Sequence, residues 1–149
     1  MKIKLNHEDA KLPTRASIDS AGLDLYSVED KFISKGSTTV VDTGISVLFS
    51  KGLVLKIEDR SGLAAKGLRT GAGVVDADYF PGTIKVVLHN LTNESSYHEG
   101  AVGYWVRKGD RIAQFLLYEV KMYEPSLWKE EYGLNNSGRN GKGFGSSGV

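Results

Sequence analysis

The sequence predicts an all-β fold, a sandwich or barrel of short strands, on three observations. Hydrophobic residues alternate with polar ones at period two, glycine and polar clusters interrupt that pattern at close intervals, and only one short stretch combines helix formers with helix-ending signals. With 149 residues, 40% of them hydrophobic, the chain is sized for one domain able to bury a core.

Along the chain, Ile3 and Leu5 alternate with lysines, Leu23 and Leu25 flank Asp24, and Ile84, Val86 and Leu88 share one face of TIKVVLHN. Each reads as a strand, because residues i and i+2 of an extended backbone point to the same side. Breaks fall at SKGS, TGAG, NLTNESS and RKGD. Pro13, Pro81 and Pro125 are expected at edges or turns, since proline cannot donate to a strand ladder. SGLAAKG, Ser61 to Gly67, opens with an N-cap candidate and closes on glycine, predicting one or two helical turns. The final RNGKGFGSSGV is too poor in apolar side chains to offset its ordering entropy. The expected organisation is therefore one β domain over 1–138 and a flexible C-terminal arm over 139–149, in which Phe144 is the single aromatic residue.

The chain has no cysteine, which excludes a disulfide framework and thiolate metal sites. The N-terminus MKIKLNHEDAKLP lacks the apolar run of a signal peptide, and no window has the length of a membrane span, so a soluble intracellular protein (cytoplasm or nucleus) is expected, with no membrane partner. A net charge of +1 gives no bulk attraction to polyanions, so no stable nucleic-acid binding is expected, while a small polyanion at a local site is allowed. His7, His89 and His98 are far apart and show no zinc spacing. A metal here would be a hard cation held through oxygen.

Four segments can carry chemistry. GAGVVDADYFPGTIKVVL, Gly71 to Leu88, reads as a hairpin with Asp76 and Asp78 at its tip. Two residues apart in an extended segment, these residues point to one side, with Cα atoms about 7 Å apart. The D-A-D-Y tip reads either as a turn initiator or as a carboxylate pair that orders a water. Gly71 and Gly73 suggest a bulge or a close backbone approach. In EDRSGLAAKG, Arg60, Ser61 and Gly62 stand where a helix begins; free amides there favour an anion, and a guanidinium suits phosphate oxygens. The alternative is a capping serine beside a surface arginine. AGLDLYS places Asp24 between leucines facing the other way, an outward polar residue of a strand. KGDRIAQFLL is a Gly-Asp turn into an apolar strand with one amide, Gln114.

Taken in order, AGLDL, RSGLAAKG, GAGVVDADY, GDRIAQ and the tail RNGKGFGSSG resemble the five ordered motifs of the homotrimeric deoxyuridine triphosphatases (dUTPases), from Ala21 to Gly148. The resemblance implies a jelly-roll-like β-barrel or sandwich of the β-clip type. It also implies a homotrimer with shared active sites and Mg²⁺-assisted hydrolysis of dUTP to dUMP and pyrophosphate, which limits uracil incorporation into DNA and supplies dUMP for thymidylate synthesis. Asp76 corresponds to the carboxylate that activates the water attacking the α-phosphorus, and Asp24 to the acid that helps place the magnesium through water. Arg60, Ser61, Gly62 and Gln114 fall where the family holds the phosphates. Gly73, Val74 and Val75 fall on the hairpin that receives uracil and deoxyribose, with Tyr79 packed under the sugar and Lys85 on the returning strand. In the tail, Arg139, Ser146 and Ser147 would reach the terminal phosphate, Phe144 would stack on uracil, and Gly145 would let the backbone pass the ligand. Two departures stand out: Tyr79-Phe80-Pro81-Gly82 is one residue longer than the family's hairpin tip, and Asn140 and Lys142 replace glycines. The rival readings are a dCTP deaminase, which needs a different acid-base arrangement at the base, and a non-catalytic trimeric β module. The D-A-D-Y tip counts against the first, Asp76 and a complete tail against the second.

Overall fold

The computed structural model describes residues 1–92 and 96–125. The elements run β1 (Lys2–Leu5), β2 (Leu23–Tyr26), β3 (Lys31–Ser34), β4 (Thr38–Asp42), β5 (Ile45–Leu48), β6 (Leu53–Glu58), α1 (Ser61–Lys66), β7 (Leu68–Gly71), β8 (Val74–Val75), a 3-10 turn (Ala77–Tyr79), β9 (Lys85–Asn90), β10 (Ser96–His98), β11 (Ala101–Val106) and β12 (Arg111–Glu119). The described residues are all-β with one short α-helix, as the patterning predicts. The strands form four antiparallel sheets, ordered β1-β5, β10-β11-β3, β2-β12-β6-β8 and β4-β9-β7. All four are open; among the described residues none closes into a barrel.

The period-two readings hold at the core. Ile84, Val86 and Leu88 are fully buried and pack with Leu25, Ile57 and Phe115, while the intervening Lys85 is exposed. Each such side chain contributes about 1.5–3 kcal/mol on burial, which fixes the register of β9 against β4 and β7. Of the predicted breaks, SKGS and RKGD are turns, where Gly36 and Gly109 adopt φ of 77° and 86°, a left-handed conformation that glycine enters without a Cβ penalty, whereas TGAG begins inside β7 and NLTNESS runs beyond the described residues. All three prolines lie outside the strands.

Two local expectations are corrected. Ser61 is the first helical residue, not the cap: Arg60 is the N-cap, extended at φ −87° and ψ 126°, with no side-chain capping bond. The predicted end holds, since Gly67 is left-handed and returns its amide to Ala64. The stretch from Gly71 to Leu88 is not a hairpin closed by its tip: the chain turns at Tyr79–Gly82, but β8 and β9 on either side of that turn do not pair. β7 and β9 do pair, Gly71 opposite Val87, but residues 72–84 leave their sheet, and β8 adds to the edge of β6 in another. Asp76 is extended while Asp78 lies within the 3-10 turn, so the two carboxylates are not neighbours on one face of a strand. The 3-10 turn wins because Tyr79 N–H donates to the Asp76 carbonyl and Gly82 N–H to that of Tyr79. The longer tip is fastened to the domain: the buried Ser46 hydroxyl donates to the Pro81 carbonyl and accepts from Asn6.

Candidate active site

The sheet β2-β12-β6-β8 carries side chains that the sequence singles out toward both of its edges. Asp24, Gln114 and Glu58 face one another across β2, β12 and β6. Asp24 is not the outward polar residue its sequence suggested; it is 6% exposed. A buried carboxylate needs partners, and two guanidiniums supply them: Arg60 Nε donates to Oδ1 at 2.7 Å and Arg111 Nη1 to Oδ2 at 3.4 Å. Arg60 and Arg111 border a 230 Å³ cleft with Leu63, Tyr104 and Asp110. Gln114 Nε2 donates to the Asp59 carbonyl at 2.8 Å. Its carboxamide lies against Gly22, where a Cβ would meet Oε1 at 2.1 Å, so the glycine of AGLDL makes room for this side chain. Ser61 and Gly62 are exposed, and their amides, at the first two helical positions, have no intrahelical acceptor.

Asp59 locks this corner. Its carboxylate accepts from the Thr70 amide at 2.6 Å, the Thr70 hydroxyl at 2.9 Å and Arg69 Nε at 2.5 Å. Burial disfavours its ionised form, but the Thr70 donors and Arg69 outweigh that and hold the carboxyl below its ordinary pKa.

At the other edge, Val74, Val75, Asp76, Tyr79 and Lys85 border one 410 Å³ cavity, so the sequence-predicted hairpin residues do come together. Gly73 is buried beneath them. Its carbonyl accepts from Ile57 N–H at 2.7 Å, and a Cβ would lie 2.3 Å from the Ile57 carbonyl oxygen. Gly71 abuts the His89 ring. The glycines thus serve close backbone approaches, as expected, but to this chain's own groups. Asp76 is exposed, and the Tyr79 ring lies over Gly82 with its hydroxyl donating to Thr83.

The edges do not meet. Three strand spacings and about four residues of stagger separate Asp24 from Asp76, on the order of 20 Å. Arg139, Phe144, Gly145, Ser146 and Ser147 lie outside the described residues. Sequence reasoning missed Asp59 and Arg111. Arg111 was within reach, since GDRIAQ puts a guanidinium at the start of the strand that carries Gln114. Asp59 had no local signal, because its carboxylate partners Arg69 and Thr70 only once α1 folds back.

The described residues gather two arginines, a buried carboxylate and exposed helix amides at one edge of a β-sheet, an arrangement suited to phosphate oxygens, and set an exposed carboxylate beside a cavity at the other. The chain belongs to the dUTPase family, whose model matches residues 8–148, and it is accordingly a dUTP diphosphatase, a hydrolase of nucleotide metabolism. The deoxyuridine 5′-triphosphate nucleotidohydrolase of Yarrowia lipolytica is 39% identical over 150 residues, covering 100% of this chain and 89% of the relative. That of Variola virus is 42% identical over 140 residues, covering 94% and 87%. Among solved structures, the dUTPase of Staphylococcus bacteriophage 80alpha with dUPNHPP matches with TM-score 0.83 at 27% identity, over 99% of this chain and 98% of that one. A variant of the phage phi11 dUTPase, 23% identical with TM-score 0.77 over 88% of this chain and 97% of that one, shares the fold; that protein coordinates a structural Mg(II) ion. No helix among the described residues is long and apolar enough to cross a membrane.

Proposed function

We propose that the chain hydrolyses dUTP to dUMP and pyrophosphate in sites shared between subunits of a homotrimer, each site taking the Asp76 edge of one copy and the Asp24 edge of another. The observation that carries this reading is the separation of the two edges. A carboxylate acting on a water at the α-phosphorus and groups holding the same triphosphate must lie within a few ångströms of one substrate, and about 20 Å is too far. Exposed Val40, Leu48, Val74, Tyr118 and Met122 supply apolar surface for such an assembly.

In this reading the backbone around Gly73, Val74 and Val75 receives uracil, Tyr79 packs under the deoxyribose and leaves no room for a 2′-hydroxyl, and Lys85 lines the same cavity. Arg60, the amides of Ser61 and Gly62, and Gln114 hold the phosphates, with Arg111 beside them. Asp76 accepts a proton from the water; the water oxygen bonds to the α-phosphorus as the bond to the bridging oxygen breaks, and pyrophosphate leaves. A carboxylate suits this role as a proton acceptor within hydrogen-bond reach of a water, and Asp76 is exposed. Positioning and charge neutralisation supply most of the acceleration in phosphoryl transfer.

Among the described residues no group of three or more His, Cys, Asp or Glu could hold a metal ion by itself, so magnesium would depend on the substrate phosphates. Mg²⁺ would keep most of its waters, and Asp24, whose two oxygens already accept from Arg60 and Arg111, would help place it only through water. When bound it neutralises phosphate charge in the transition state. Arg139, Ser146 and Ser147 of the arm engage the terminal phosphate, Phe144 stacks on uracil and Gly145 passes close to the ligand. The reaction limits uracil incorporation into DNA and supplies dUMP for thymidylate synthesis.

Subunit mixing tests the shared site. Asp76→Asn and Arg60→Ala are each expected to lower turnover by about two orders of magnitude or more. When the two are unfolded together and refolded at equal ratio, about a quarter of the sites pair an intact Asp76 with an intact Arg60, and pyrophosphate release from dUTP recovers to that fraction. If the mixture stays as inactive as its components, the site is not shared. Running dCTP and dTTP in parallel separates a diphosphatase for dUTP from a deaminase-like relative or an inert module.

A further inference from the structure

Asp59 neither pairs with Arg60 nor borders the open cleft, yet its hydrogen bonds reach two strands, β7 through Arg69 and Thr70 and β12 through Gln114. It sits between β6 and α1, one residue before Arg60. Its side chain accepts the Thr70 amide, the Thr70 hydroxyl and Arg69, so a single carboxylate fastens both ends of the 59–70 segment that contains α1. Its carbonyl accepts the Gln114 amide at 2.8 Å. The next residue, Arg60, is oriented by Asp24 at 2.7 Å. Six residues make too short a helix to hold its own direction, because nucleation costs more than so few internal bonds return. Its direction depends on contacts outside it: the Asp59 bonds to Arg69 and Thr70, the packing of Leu63 against the core and the Leu91 amide on the Gly67 carbonyl.

We propose that Asp59 is a positioning residue for the triphosphate: its carboxylate closes the 59–70 loop and its carbonyl aims Gln114, so that Arg60, the Ser61 and Gly62 amides and Gln114 meet the phosphates as one rigid unit. The inference rests on the assignment of those four residues to the phosphates. It goes further by naming a residue that touches no substrate and by assigning its effect to one half of the ligand. Removing the carboxylate frees the loop ends, and each phosphate contact must then order the segment as it forms.

The experiment uses the full-length protein and two probes, a nonhydrolysable imido analogue of dUTP with Mg²⁺ and free 2′-deoxyuridine. Asp59→Ala is expected to weaken the imido analogue about tenfold and to raise KM about as much, with kcat within about threefold of the parent. Deoxyuridine affinity is expected to stay within about twofold, since the nucleoside half binds at the other edge. Asp59→Asn, which keeps an acceptor for Thr70 but loses the charge facing Arg69, should fall between. If Asp59→Ala does not fold, Thr70→Val removes only the hydroxyl bond and should show the same selectivity for the triphosphate at smaller size. Unchanged affinity for the imido analogue beside a lowered melting temperature makes Asp59 merely structural and overturns the proposal. Equal weakening of both probes overturns it too, as a general loosening. A parent protein that binds deoxyuridine but gains nothing from the triphosphate removes the phosphate assignment itself, a result distinct from either.

Discussion

Gly22→Ala separates folding from phosphate binding, and its size can be worked from the packing around Gln114. The added methyl would lie 2.1 Å from Gln114 Oε1, 2.8 Å from Cδ and 3.3 Å from Cβ. No backbone atom blocks it, and Gly22 has no φ that only glycine tolerates, so the flexible carboxamide gives way and the strand stays in place. The amide then leaves the Asp59 carbonyl, losing one partly buried hydrogen bond worth about 1 kcal/mol. For a domain of this size that lowers the melting temperature by about 2–4 °C. The effect on activity is larger, because a donor aimed at a charged phosphate is worth about 1.5–3 kcal/mol, or roughly ten- to a hundredfold in kcat/KM. Steady-state pyrophosphate release and thermal unfolding, measured on the same preparation, check both numbers. A variant that keeps kcat/KM within about threefold of the parent would show that Gln114 does not hold the phosphates. A fall of melting temperature beyond about 10 °C would show that the methyl strains the backbone.

Two further outcomes are expected. Because its partners hold the Asp59 carboxyl below its ordinary pKa, the stability it confers is complete above the unfolded-state value and is lost as pH falls through the folded-state value. The gap in urea midpoint between parent and Asp59→Asn should therefore be widest at neutral pH and shrink below about pH 4, and a gap that does not change with pH refutes the clamp. Deleting residues 139–149 should leave the oligomer and its melting temperature unchanged yet cut turnover at least about tenfold, as loss of a closing segment would; full turnover by the truncated enzyme means that the arm takes no part.

Much of the fold was legible. Alternation placed β2 and β9, glycine marked the turns at Gly36, Gly67 and Gly109, and one short helix was expected where α1 stands. These signals are local, set by side-chain period and by the φ that glycine alone enters freely, and a linear text preserves them. Within the site, Val74, Val75, Asp76, Tyr79 and Lys85 could be grouped because they are near neighbours in the chain and border one cavity. The capping role of Ser61 was misread, since serine at the start of a helical pattern looks the same at the cap and at the first turn.

What the sequence determined by itself is the class of the elements and the order of the chemical motifs, because both depend on residues within a few positions of one another. Tertiary structure decided which of them meet. Only folding carried β8 away from its hairpin partner and onto β6, which set Asp76 at the edge opposite Asp24. It also buried Asp24 between Arg60 and Arg111, 36 and 87 residues away, and turned Asp59 onto Thr70. A carboxylate in the chain carries no mark of its future partners. Desolvation on packing makes an unpaired charge costly, and so selects the guanidiniums and amides that must surround it.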